Sequence, residues 1–248
     1  VQQVEVNVVG RVARVLEHEP PLPGQDLHLH LDVVLQEVAI DALGDHNGAV
    51  VAIEPATGGV LALVSKPGYD PNLFVEGISS KDYKLLQQDP DRPLYDRALR
   101  GQYPPGSTVK PFMGLAGLET GTISYESSTY CPGFYQLPGH SHRYRDWKKT
   151  GHGPMDVDAA ITQSCDVFFY KLAHDMGVDQ LSNYLAEFSF GKRTGIDLVG
   201  EARGILPSRE WKRAARRQPW YPGETVIMGI GQGYFLTTPL QLAAATAA

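Results

Sequence analysis

The sequence predicts an α+β fold in which an antiparallel sheet is covered by helices. Ala49 to Ile53 and Val60 to Ser65 are two apolar runs joined by Glu54-Pro55-Ala56-Thr57-Gly58-Gly59, the pattern of a hairpin covered on both faces. Two later stretches place apolar residues at helical spacing: Phe169, Leu172, Ala173 and Met176 on one face, then Leu181, Tyr184, Leu185 and Phe188 on another. Both stripes read as core. A chain of 248 residues is long enough to bury such a core as one large domain, or as one domain with an appendage.

Composition removes some classes of function. A net charge of -6 with no basic tail argues against nucleic acid as the main partner. No apolar run approaches the ~20 residues of a membrane span, and there is no signal-peptide pattern. Two cysteines, Cys131 and Cys165, permit a disulfide, two free thiols or a metal site. Val1 begins inside a strand-like pattern and the helix opened by Thr238-Pro239 stops at Ala248 without a cap, so the sequence reads as a fragment.

At the start, Val4, Val6 and Val8 alternate with polar residues, as do Leu27, Leu29 and Leu31, with Pro20 to Gly24 between. Two strands around a stiff linker are expected, with His28 and His30 on a polar strand face. Asp32 is placed to cap a short helix ended by Gly44. Lys66 to Arg100 lacks periodicity and reads as a surface wrap. Ser124 to Pro154 has no period either, and an ordered loop of that length needs something to hold it. Asp158 to Met176 reads as two helical pieces meeting near Ser164, and Asp179 starts another that Gly191 ends. Arg209, Lys212, Arg213, Arg216 and Arg217 have the spacing of a solvated helix face. Gly229-Ile230-Gly231-Gln232-Gly233 lacks the lysine of a phosphate loop and reads as a close backbone approach.

The chemistry starts in Tyr103-Pro104-Pro105-Gly106-Ser107-Thr108-Val109-Lys110. Two prolines and a glycine force a turn, so Ser107 is expected to open a helix with Lys110 one turn later on the same face. A serine hydroxyl needs a base before it attacks anything, and a desolvated lysine is one way to supply it. Ser164-Cys165-Asp166 follows 57 residues after Ser107.

Together these motifs resemble the penicillin-recognising serine enzymes, with Ser-x-x-Lys, then Ser-x-Asn or Ser-x-Asp, then Lys-Thr-Gly on a strand. The flanking text is more specific. Gly48 to Gly58, Lys66-Pro67-Gly68-Tyr69-Asp70-Pro71-Asn72, Tyr103 to Pro111 and Gly229 to Gly233 are similar to class B penicillin-binding proteins. Tyr144 to Lys149 and Ser164 to Tyr170 are closest to the penicillin-binding protein 2 group, which serves rod-shaped elongation. The resemblance covers nearly the whole chain. It implies the transpeptidase fold over residues 32–248, with residues 1–31 as strands and linker left from an N-terminal pedestal. Lys149-Thr150-Gly151 spells the third motif but precedes Ser164 and lacks a strand pattern, so it is a decoy. Lys192-Arg193-Thr194-Gly195 has an inserted residue. The third motif is therefore expected beyond Ala248.

The resemblance implies acyl transfer at a D-Ala-D-Ala peptide. Ser107 would be the nucleophile, Lys110 its base and Ser164 a proton relay, while Asp166, where asparagine is commoner, pairs with Lys110 or with a cationic group of the stem. Cys131, Asp146, His152 and Cys165 suit tetrahedral zinc. Elongation-type relatives can carry zinc at matching positions, with a carboxylate where Cys131 stands; a disulfide or two buried thiols is the other reading. Implied partners are peptidoglycan stem peptides, beta-lactams, a membrane glycosyltransferase and elongation scaffold proteins. The implied location is the periplasmic face of an inner membrane, through an N-terminal anchor absent from this chain. A serine beta-lactamase or beta-lactam sensor would share the motifs, but no Glu-x-x-Leu-Asn segment supplies the usual deacylation base. A non-catalytic cell-wall scaffold is the reading from another class.

Overall fold

In the computed structural model, residues 2–248 are described apart from Glu19, Pro21 and Glu76. They divide into two compact units, Val1–His30 and Leu31–Ala248. The first is a hairpin of β1 (Gln2–Val6) and β2 (Val12–His18), paired antiparallel. Asn7 builds its turn, its side-chain oxygen accepting the N–H groups of Val9 and Arg11 at 3.1 and 3.0 Å. The expected strand at Leu27 to Leu31 does not form. Its leucines are 84, 67 and 39% exposed, and His28 and His30 lie in the same exposed irregular chain. Alternation makes a strand only where a partner edge exists, and here β2 has already taken the edge of β1.

The second unit opens with α1 (Val33–Leu43), capped by Asp32, whose side chain accepts from Leu35 N–H, and closed at Gly44 as expected. The predicted hairpin is β3 (Gly48–Ile53) and β4 (Val60–Lys66), paired antiparallel. Gln36 of α1 brackets Leu63 on β4, donating to its carbonyl at 2.9 Å and accepting from its N–H at 2.8 Å. A side chain thus occupies a strand edge that would otherwise present unpaired groups.

The stretch read as a surface wrap contains α2 (Ser80–Gln88) and α3 (Arg97–Arg100), capped by Ser79 and Asp96. No residue of α2 is buried, so it has no apolar stripe for periodicity to reveal. Then come α4 (Lys110–Glu119) and four three-residue strands: β5 (Thr129–Cys131), β6 (Phe134–Gln136), β7 (Arg143–Arg145) and β8 (Gly153–Met155). β5 pairs with β8 and β6 with β7, so two nested ladders order the long loop.

α5 (Val157–Thr162) and α6 (Asp166–Leu185) meet at Ser164, where the sequence placed the junction. Gly177, at φ 74° and ψ 161°, interrupts α6, which is why the sequence reads as two helices there. α6 is the axis of the core. Phe168, Phe169, Leu172, Ala173, Leu181 and Leu185 are buried on it, with α4 and α8 (Pro222–Met228) packed alongside. Each of these phenylalanine and leucine side chains contributes about 1.5–3 kcal/mol through burial.

One expectation about charge fails. In α7 (Arg209–Arg216), Lys212 is fully buried rather than solvated. It pairs with Glu224 at the start of α8, and its ammonium lies 4.3 Å from the Tyr221 ring centroid. A cation can be buried once a carboxylate and aromatic faces replace its water. The chain closes with α9 (Pro239–Ala247), capped by Thr238.

Candidate active site

Pro104 and Pro105 lead into a 3-10 turn, Gly106–Val109, that runs directly into α4. Ser107 therefore sits in the turn before the helix proper. Pro111 occupies the first turn of α4, where the missing N–H removes no intrahelical bond. Two distant segments pin this turn. Tyr103 and Thr237 exchange backbone N–H bonds at 2.9 Å each, and Gly106 N–H donates to the Gly231 carbonyl at 2.9 Å. Gly231 has φ +69°, and a Cβ there would overlap the Gly106 carbonyl oxygen. This is the close approach read from the glycine-rich stretch.

Ser164 has φ +52°, the left-handed conformation that usually falls to glycine where a helix ends. A serine held there costs of order 1 kcal/mol or more, which points to a use for its side chain. Ser164 Oγ donates to Ser107 Oγ at 3.0 Å and accepts from Lys110 Nζ at 3.0 Å. Lys110 Nζ also donates to the Ser164 carbonyl at 2.8 Å and to Asp166 Oδ1 at 2.6 Å. Lys110 is 1% exposed and its ammonium lies 5.5 Å from the Phe169 ring centroid, whereas Ser107 is exposed. Hydroxyl and amine were expected to face each other; among the described residues, the hydrogen-bonded link between them runs through Ser164 instead.

The loop before α5 reaches this line at two points. Trp147, which motif reasoning did not single out, donates its indole N–H to the carbonyls of Gln163 and Ser164 at 3.2 and 3.1 Å. Its backbone N–H donates to Asp166 Oδ2 at 3.3 Å. The signals available in sequence were its place beside Asp146 and within the stretch Tyr144 to Lys149 that carries the family resemblance. Asp146 Oδ2 in turn accepts the N–H of Val167 at 3.1 Å, capping α6 where Cys165 provides no side-chain cap.

Cys131, Asp146, His152 and Cys165 come together as a buried cluster whose four ligand atoms all lie within 4.8 Å of one another. The cysteines are free, so the disulfide is not formed. Cys131 Sγ lies 3.6 Å from His152 Nδ1, and both thiols lie 3.5 Å from Asp146 Oδ2. Among the described residues, His152 Nε2 is buried with no hydrogen-bond partner. Burial, with Cys131 and Asp146 adding to it, pushes the Cys165 thiol up to about 12. Burial works against the Asp146 carboxylate too, but N–H groups of Lys148 and Val167 hold it below the usual carboxylate range. Two sulfurs, one carboxylate oxygen and one imidazole nitrogen, dry and mutually close, fit a tetrahedral divalent cation.

Lys149-Thr150-Gly151 lies in a turn, not a strand, with Gly151 pressed against the backbone of Cys131 to Gly133. Thr194 and Gly195 are likewise outside any strand, their N–H groups directed at Glu201. Neither presents the expected third motif.

Residues 48–248 match the family model of the penicillin-binding protein transpeptidase domain. The chain belongs to the penicillin-binding protein transpeptidase family. The resemblance to penicillin-binding proteins read from the sequence is thus matched over residues 48–248. Among relatives of this family, the peptidoglycan D,D-transpeptidase MrdA of Escherichia coli is 51% identical over 244 residues, 98% of this chain and 38% of that protein. The chain thus spans well under half the length of the curated relatives it matches. A solved structure of Pseudomonas aeruginosa penicillin-binding protein 2 in complex with WCK 5153 superposes with TM-score 0.88 at 55% identity, covering 92% of this chain and 52% of that one. Penicillin-binding protein 2 of Helicobacter pylori, in complex with MreC, gives TM-score 0.87 at 39% identity, covering 99% and 46%. The expected transpeptidase fold and the penicillin-binding protein 2 likeness are both borne out.

Proposed function

We propose that the protein is a peptidoglycan D,D-transpeptidase of cell elongation and a target of beta-lactams. The observation that carries this is the hydrogen-bonded line Ser107, Ser164, Lys110, Asp166, set at the head of two buried helices in a family of serine acyl transferases. Once Lys110 has ceded a proton to Asp166, Ser107 attacks the carbonyl carbon of the D-Ala-D-Ala bond and its own proton passes through Ser164 to the neutral amine so formed. The tetrahedral oxyanion is met by the Ser107 backbone N–H, in a helical first turn where such groups lack partners. As the C–N bond breaks, Ser164 returns a proton to the departing nitrogen and D-alanine leaves. An amine of a neighbouring stem then attacks the acyl-enzyme, restores the Ser107 hydroxyl and completes a cross-link. Asp166 holds the Lys110 ammonium in place between turnovers.

Zinc belongs to this proposal as a structural tie. Cys131, Asp146, His152 and Cys165 would hold it, and its charge would favour the thiolate form that burial disfavours. It would bind the 124–154 loop to the turn that presents Ser164. The proposed setting is the periplasmic face of an inner membrane, alongside a glycosyltransferase and elongation scaffolds; of such assemblies, the Helicobacter pylori relative has been solved in complex with MreC. Residues 32–248 would be the transpeptidase domain and 1–31 a pedestal remnant.

Intact mass of the full-length protein after exposure to penicillin tests the reading. A stable adduct on Ser107 supports it. Rapid turnover of penicillin would make the protein a beta-lactamase, and no adduct would leave the scaffold reading.

A further inference from the structure

We propose that the groove between the β6–β7 hairpin and the Lys148-Lys149 turn binds side-chain carboxylates of the peptide substrate through Arg143, Arg145 and Lys149. This rests on the acyl-transfer reading of Ser107 and extends it to a second subsite.

The chain carries a net charge of -6, yet residues 140–149 hold Arg143, Arg145, Lys148 and Lys149 against one carboxylate, Asp146. All four cations are exposed. Among the described residues none of them forms an ion pair. Asp146 does not neutralise them, because it is 4% exposed and its oxygens are taken up by the N–H groups of Val167 and Lys148 and by the two thiols. The groove has a volume of about 750 Å³ and is lined by Arg143, Arg145, Lys149, Ser141 and His142.

The cations stand on ordered backbone. Arg143 and Arg145 are in β7, paired with Gln136 and Phe134. The Arg143 guanidinium lies 4.4 Å from the Phe134 ring centroid, and the Arg145 carbonyl accepts the Tyr170 hydroxyl at 3.3 Å. A guanidinium presents a fixed fork of donors that matches a carboxylate, and stacking on an aromatic face limits the entropy lost on binding. Placement links the groove to the chemistry: Asp146 and Trp147, next in sequence to Arg145, bond to Val167, Ser164 and Asp166. In this proposal, the upstream residues of a peptide whose terminus reaches Ser107 are set against these cations.

The test compares the full-length protein with an Arg143→Gln/Arg145→Gln/Lys149→Gln variant on two D-Ala-D-Ala peptides, one with free side-chain carboxylates and one with these amidated. D-alanine release gives kcat and KM, calorimetry gives direct binding, and the rate of penicillin acylation reports on Ser107. The variant should raise KM and Kd for the carboxylate peptide about tenfold at low salt. It should leave the amidated peptide, kcat and penicillin acylation unchanged. Equal effects on both peptides, or none on either, overturn the subsite. A Lys149→Glu single variant, showing the same selectivity or failing to, decides the matter if the triple variant does not fold. Failure of the wild-type protein to take up penicillin would sink the acyl-transfer reading instead, while calorimetry still decides the groove.

Discussion

Ser164 Oγ lies 3.0 Å from Ser107 Oγ and 3.0 Å from Lys110 Nζ, and so bridges an exposed hydroxyl to a buried amine. Replacing Ser164 with alanine breaks the bridge without touching either end. The rate of Ser107 acylation by a beta-lactam should fall by about 10²–10⁴, the range for a lost proton-transfer group. Stopped-flow measurement checks it; a fall under tenfold would show that Lys110 reaches Ser107 unaided.

Asp166 supplies the carboxylate for a lysine that is 1% exposed. Removing one partner of a buried pair leaves the other charge uncompensated, at about 3–5 kcal/mol. Asp166 keeps some solvent and asparagine still accepts a hydrogen bond, so Asp166→Asn should cost about 2 kcal/mol. In a double-mutant cycle with Lys110→Met, denaturant unfolding should return a coupling above ~1 kcal/mol. A coupling near zero would deny the pair a structural role.

Gly231→Ala places a methyl group against the Gly106 carbonyl and asks alanine to hold φ +69°. The backbone must give way, and Gly106 is joined to Ser107. Displacement of a nucleophile by about 1 Å costs roughly 10²-fold in rate. We expect a loss of that order in beta-lactam acylation, with α-helical circular dichroism retained. Wild-type acylation in this variant would refute the pinning of the turn.

The thiol and imidazole cluster predicts one zinc per chain in protein purified without chelator. Chelation should lower the thermal midpoint, because a ligand bound only by the native state stabilises it. Cys165→Ala should abolish both the metal and the chelator effect. Elemental analysis finding no stoichiometric zinc in the full-length protein would leave the cluster as two buried thiols.

Lys212→Met should destabilise the protein by about 3 kcal/mol by stranding Glu224, and Glu224→Gln in the same chain should recover part of the loss. Unfolding midpoints in urea report both. A single variant as stable as wild type would show that the rings of Tyr221, Trp220 and Tyr234, whose centroids lie 4.3, 6.0 and 5.8 Å from the ammonium, pack a methionine as well.

What the sequence disclosed and what it hid follow from the range of the interactions involved. The α1 cap at Asp32, the β3–β4 hairpin and the junction at Ser164 are local, set by residues a few positions apart, and were legible. The strand expected at Leu27 to Leu31 was not, because alternation describes one strand and says nothing of a partner. α2 buries nothing and so carried no stripe. Lys212 looked like its exposed arginine neighbours, since helical spacing cannot show that α8 brings Glu224 against it. The four residues proposed as metal ligands could be named, because their chemistry is distinctive. That Ser164 stands between Ser107 and Lys110 depended on three-dimensional placement alone.

The backbone bond from Gly106 to Gly231 joins positions 125 residues apart (231 − 106). Synthesis runs at roughly 5–20 residues per second, so about 6–25 s separate the emergence of the serine from that of the glycine turn it leans on. Through that interval the nascent chain lacks one of the backbone bonds that fix the turn bearing Ser107.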